Sequence, residues 1–138
     1  MQHRVLAVAR AKVTGRADYV HTLRLPGMLH GKILRSPHAH AKITGLNIDA
    51  ARALAGVRAV FTYDDLRRYL TCDRIPLGLP SGAIRFPVDP FVLARDELTY
   101  VGEPIALVVA ESRAIAKDAV RLIGLDADPL PLVSDPVA

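Results

Sequence analysis

Cysteine occurs once in these 138 residues, as Cys72, and that scarcity excludes several kinds of protein at the outset. No intrachain disulfide can form, and one thiol cannot supply the ligands of an iron–sulfur cluster. Aromatic residues make up only 5% of the sequence, too few for a base-stacking platform. Long apolar runs are missing too. The longest, Ile105–Ala110, has the length of a buried strand and is far too short to span a bilayer. The N-terminus, Met1-Gln2-His3-Arg4-Val5, lacks the apolar stretch and cleavage site of a signal peptide. No basic run exceeds the pair Arg67-Arg68, and there is no Gly-rich phosphate loop, nucleophile elbow or dinucleotide fingerprint. The expectation is a cytoplasmic protein that contacts neither membrane nor nucleic acid.

What is present suits one domain, residues 1–138, able to bury roughly two-thirds of its unfolded surface. Hydrophobic residues at 51% and charged residues at 23% are ordinary for a globular chain. The net charge of +4 comes from scattered Lys and Arg, which reads as a solvated basic surface or one facing an acidic partner subunit.

Val13–Arg24 alternates loosely and reads as extended. Leu25-Pro26-Gly27-Met28 has type II turn chemistry and should join it to a second strand, Met28–Leu34, in a hairpin. Arg35-Ser36-Pro37 breaks that strand, and Ala41–Ile48 resumes an extended pattern with Gly45 as a bulge candidate. Asp49 is placed to cap a helix over Ala50–Ala55 that Gly56 stops. A short strand, Val57–Phe61, leads to Thr62-Tyr63-Asp64-Asp65, whose capping-box spacing predicts a helix to about Leu70. Leu98–Val101 and Ile105–Ala110 read as strands. Ser112 caps a helix over Arg113–Leu122, and Leu125 and Leu130–Val133 read as short extended pieces. Strands outnumber helices, so the fold class is α+β, a mixed sheet carrying two or three helices.

Thr71 to Arg95 stands apart, with four prolines, two glycines and no periodicity. A loop of that length is functional or disordered. With few backbone partners of its own, it should be the least ordered region. Its apolar residues call for a surface to pack on.

The chemistry-bearing candidates are few. His38-Ala39-His40, with His30 nearby, would put two imidazoles on one strand face, but no Cys or acidic residue joins them at a metal-ligand spacing. Histidines bonded to backbone or to a partner are the simpler account. Cys72 lacks any nucleophile signature, and Asp64 and Asp65 point apart on a helix. Glu103, held between Gly102 and Pro104, reads as an exposed turn residue, with proton transfer as the competing role.

Three stretches carry a resemblance. Thr14-Gly15-Arg16-Ala17-Asp18-Tyr19 with Leu25 through Ile43 resembles the opening of the xanthine dehydrogenase/aldehyde oxidase large subunits, the molybdenum hydroxylases. Tyr100-Val101-Gly102-Glu103-Pro104-Ile105-Ala106-Leu107-Val108-Val109-Ala110-Glu111-Ser112 resembles their second hallmark, and Ala116 through Val133 their third. The resemblance covers essentially the whole chain and implies the α/β-hammerhead fold.

It also implies an activity for the complete enzyme: insertion of a water-derived oxygen into a C–H bond of an aldehyde or N-heterocycle. Molybdopterin is the implied catalytic cofactor, with [2Fe–2S] clusters and FAD carrying electrons away. Carbon monoxide dehydrogenases are a variant on related architecture. The family's catalytic glutamate and pterin-binding loops lie downstream of this domain, and this sequence stops at Pro136-Val137-Ala138. The expectation is a chain without catalytic, cofactor or metal residues of its own, either a separately encoded subunit or a fragment. Its implied partners are a molybdopterin-binding catalytic domain or subunit, an iron–sulfur subunit and an FAD subunit.

Two roles follow from the resemblance. Ile84, Phe86, Pro87 and Phe91 are candidates for a substrate funnel, anchored by the partner rather than by this domain's core. Arg35, Ser36, His38, His40, Gly102, Glu103 and Pro104 are candidates for the subunit interface. An interaction or assembly module without part in turnover is the alternative reading.

Overall fold

The structure is a computed structural model that describes residues 9–17, 19–20, 23–78 and 89–133. Two antiparallel three-stranded sheets organise them, in agreement with the expected α+β class. The elements are β1 (His30–Arg35), β2 (Ala41–Asn47), α1 (Asp49–Ala53), β3 (Val57–Phe61), α2 (Tyr63–Leu66) with a 3-10 turn at Arg67–Tyr69, β4 (Glu97–Leu98), β5 (Pro104–Ala110), α3 (Arg113–Arg121) and β6 (Gly124–Pro129). The strand orders are β1-β5-β3 and β4-β2-β6.

β5 takes the centre of the first sheet because it is the most apolar strand: Ile105, Ala106, Val108 and Ala110 are all buried. A strand covered on both faces reads as a continuous apolar run, as this one does. On one side of the sheet, α1 and α3 bring Ala51 and Ala119 against Val60, Ala106 and Val108. Alanines at these positions let the helices approach the strands closely. A second cluster of Ala41, Ala94, Leu98 and Ile105 forms around β2 and β4, and Leu34 and Leu46 touch both clusters.

Local signals in the sequence act as expected. Met28 N–H donates to Leu25 O across the Pro-Gly turn (3.1 Å), and the register of β2 shifts between Ile43 and Gly45. Asp65 accepts from Thr62 N–H and its hydroxyl, both at 2.9 Å, and Ser112 Oγ accepts from Ile115 N–H at 3.2 Å.

Two expectations are corrected. Residues 9–13 are helical and, among the described residues, no strand precedes the Leu25–Met28 turn; β1 pairs with β5 rather than in the expected hairpin. Val13, Val20, Leu23 and Leu25 are exposed, and a strand pair without a buried face has little to hold it. Asp49 lies in the first turn of α1 rather than capping it, and Asn47 Oδ1 accepts from Asp49 N–H at 3.1 Å. The described ends of the 71–95 loop are tied down. Ile75 N–H donates to Pro90 O (2.8 Å), Val92 N–H to Asp73 O (3.2 Å) and Ala94 N–H to Pro104 O (2.7 Å). Leu93 and Ala94 are buried, so these two apolar residues of the loop pack inside this chain, whereas Ile75 and Leu77 are exposed.

Candidate functional site

The stretches 35–40 and 100–104, far apart in sequence, meet at one corner. Antiparallel pairing of β1 with β5 sets Arg35 opposite Pro104, and the ladder continues past the strand ends. Ser36 N–H donates to Glu103 O at 2.9 Å and Gly102 N–H to Ser36 O at 2.8 Å. Arg35 Nη1 adds a bond to Gly102 O at 2.8 Å. Pro37 cannot extend a ladder. There the Ser36 hydroxyl takes over, accepting from His38 N–H at 3.0 Å and donating to His38 O at 2.7 Å.

Tyr100 to Glu103 forms a tight turn, with Glu103 N–H donating to Tyr100 O at 3.3 Å. Gly102 has φ +93°, the region that the third residue of a type II turn requires and that a side chain would strain. Glu103 is 2% exposed, which corrects the expectation of an exposed turn residue. Its Oε2 reaches back across the turn to accept from Thr99 N–H at 2.6 Å and Thr99 Oγ1 at 3.1 Å. A buried carboxylate is tolerated when donors satisfy it, and both donors here are local. Glu103 therefore staples the turn from inside. Ser36 is likewise buried, whereas Arg35, Tyr100 and Val101 are exposed on the rim of the corner.

Beside this turn lies a groove of about 410 Å³ lined by Arg74, Asp89, Pro90, Phe91, Glu97, Thr99, Tyr100 and Glu103. Phe91 thus shares a cavity with Glu103. It is held by its own chain, contrary to the expected anchoring by a partner alone. Its ring meets Tyr63 edge-on at 5.8 Å between centroids, and the Arg74 guanidinium sits 4.1 Å above it. Arg74 also donates to Asp89 O at 2.7 Å, closing one end of the groove. Ile84, Phe86 and Pro87 lie outside the described residues.

His40 stands behind Glu97, one of the lining residues. Nε2 lies 2.5 Å from Glu97 Oε1 and Nδ1 lies 2.6 Å from Pro131 O. Both neighbours are acceptors, so satisfying both ring nitrogens requires the imidazolium. Accordingly the pKa of His40 is raised from the ordinary 6.5, first by the Pro131 carbonyl and then by Glu97, with desolvation opposing. The His38-Ala39-His40 pair is not a metal centre in this arrangement. Among the described residues no three His, Cys, Asp or Glu side chains converge as a metal ion needs. The side chains described at this corner therefore do not offer the ligand set of a protein-held metal ion or an iron–sulfur cluster.

Arg74, Asp89, Glu97 and Thr99 line the groove but carry no sequence motif. Only their placement by β4 and by the 73–75 and 90–92 pairing brings them together. No helix among the described residues is long and apolar enough to cross a membrane.

Comparison with known proteins places this geometry in context. Residues 14–131 match the family described as "Aldehyde oxidase and xanthine dehydrogenase, a/b hammerhead domain". The chain is 43% identical over 124 residues to the nicotine 6-hydroxylase large subunit of Paenarthrobacter nicotinovorans, covering 90% of this chain and 15% of that protein. It is 38% identical over 122 residues to the carbon monoxide dehydrogenase large chain of Afipia carboxidovorans, covering 88% and 14%. Among solved structures, reconstituted CO dehydrogenase from Oligotropha carboxidovorans superposes with a TM-score of 0.83 at 36% identity, covering 94% of this chain and 15% of its own.

Proposed function

Because the chain belongs to the aldehyde oxidase and xanthine dehydrogenase hammerhead family, within the molybdenum hydroxylase large subunits, we propose that it is the hammerhead component of a molybdenum-cofactor hydroxylase or dehydrogenase. The chain spans about 15% of the length of the curated relatives it matches. In this reading it is inactive alone. It contributes a contact surface and one wall of the substrate entrance to an enzyme that oxidises an aldehyde or N-heterocycle with oxygen from water.

Molybdopterin supplies the redox centre in such an enzyme, and [2Fe–2S] clusters and FAD carry the electrons. A molybdopterin-binding catalytic domain or subunit, an iron–sulfur subunit and an FAD subunit hold these groups. The observation that carries the reading is the corner itself. Glu103 and Ser36 are spent on internal bonds that fix its shape, while Tyr100 at 44% and Val101 at 64% exposure present apolar surface beside a groove. Rigid internal bonding beneath an exposed apolar rim suits docking against another protein.

Hydrogen exchange of the chain with and without its molybdopterin-binding partner tests this. Protection should rise at 35–40 and 100–104 in the complex, and unchanged protection in both stretches refutes the assignment. For the entrance, Phe91→Ala in the reconstituted complex should change KM or substrate preference by roughly 10- to 100-fold, the scale of one apolar contact of about 1–3 kcal/mol. Unaltered kinetics would return the groove to a purely structural role.

A further inference from the structure

β3 is an edge strand. β5 pairs with it on one side, and among the described residues no strand pairs with it on the other. A groove of about 370 Å³ runs along that open side, lined by all five residues of β3 and, facing them, by Arg52, Asp65, Arg68 and Tyr69. Successive side chains of a strand point to opposite faces, so a wall made of consecutive residues is a wall of backbone. Val60 marks its orientation: its side chain is buried, while its carbonyl accepts from Arg52 Nη2 at 3.3 Å. The N–H and C=O of one residue point the same way in an antiparallel ladder. A backbone donor and acceptor therefore stand together on the open edge. The bond from Arg52 is long and easily exchanged.

The charge around this edge is positive on balance. Arg52, Arg58 and Arg68 line it with one carboxylate, Asp65, which already accepts from Thr62 and lies 3.4 Å from Arg52; a second carboxylate, Glu111, stands just outside the lining. Arg58 pairs with Glu111, with its side chain still 62% exposed. Arg68 stacks on the Tyr69 ring at 4.8 Å, and its charge also acts on Asp65. Tyr69 itself is 72% exposed. Edge strands commonly carry a charge that discourages pairing with copies of themselves. Arg58 does that here, since β3 against β3 would set arginine near arginine. The same charge favours an acidic strand.

We propose that this edge docks an extended acidic segment of a partner protein, which adds to β3 as a fourth strand and sets its carboxylates against Arg58 and Arg68. Backbone bonds supply the affinity in such strand addition, and the side chains supply the choice of partner. This surface is separate from the corner at Glu103, and its test does not depend on the proposed enzyme.

The probe is a labelled hexapeptide alternating glutamate and valine, titrated into the 138-residue chain by fluorescence anisotropy. Two N-methylated versions block its odd and its even amides in turn. The unmodified peptide should bind, one N-methylated version should bind at least tenfold more weakly, and Arg58→Glu with Arg68→Glu should cost at least as much. Both side chains are exposed, so the circular dichroism of the double variant should match the parent and separate loss of binding from loss of fold. Equal binding of all three peptides would show a contact by charge alone and overturn the proposal. So would undiminished binding to the double variant, or tighter binding of a single-stranded oligonucleotide of equal charge, which would reassign the groove to nucleic acid.

Discussion

Replacing Glu103 by Ala should be among the most damaging single changes outside the apolar core, and its size can be worked from the geometry. The substitution removes the acceptor for Thr99 N–H at 2.6 Å and for Thr99 Oγ1 at 3.1 Å. Hydrogen bonds to a charged group contribute about 1.5–3 kcal/mol each. Two offsets apply: the cost of burying the carboxylate disappears, and the adjoining groove admits water to the vacated space. The net expectation is a loss of about 2–4 kcal/mol, a large share of the 5–15 kcal/mol typical of a domain. Glu103→Gln keeps an amide oxygen as acceptor and forfeits only the charge assistance, so about 1 kcal/mol is expected. Urea unfolding followed by circular dichroism gives both values from the shift in midpoint at constant m-value. If the staple is real, Thr99→Val combined with Glu103→Gln should cost less than the sum of the two single changes. A Glu103→Ala variant within about 0.5 kcal/mol of the parent would mean the bonds to Thr99 contribute nothing, and the reasoning fails.

Other perturbations probe neighbouring features. The raised pKa of His40 means its contribution to stability is complete below the unfolded value near 6.5 and is lost as pH rises through the folded value. Stability should therefore fall over that interval in the parent and stay flatter in Glu97→Gln; an NMR titration showing His40 at or below the ordinary value contradicts this. Gly56, at φ +86°, would bring a Cβ to 2.7 Å from Ile115 Cδ1. Gly56→Ala should cost about 2 kcal/mol, roughly 1–2 of it left-handed strain, and a neutral thermal melt would refute the estimate. Phe91→Ala should also lower the stability of the chain, by about 2 kcal/mol, through loss of the Tyr63 edge contact and the Arg74 stack. Unchanged urea unfolding of that variant would restore the view that only a partner anchors the ring.

Features that depend on a few consecutive residues were legible in the sequence by itself. The caps at Thr62 and Ser112, the Pro-Gly turn at Leu25–Met28, the break at Pro37 and the bulge at Gly45 each involve residues within four positions of one another. Steric limits and local hydrogen bonds act at that range whatever the rest of the chain does. The family resemblance, carried by Leu25 through Ile43 and by Tyr100 through Ser112, also needed no coordinates. What only the tertiary structure decided is which edges meet. β1 pairs with β5, the strand buried on both faces, while Val13, Val20, Leu23 and Leu25 before it stay exposed. That single pairing sets Ser36 against Glu103, whose carboxylate is buried where local sequence places an exposed turn, and the bridge of Arg74 to Phe91 brings that ring into the same groove. Burial and strand partnership belong to chain segments distant in sequence, and a local pattern contains no information about what will close over it.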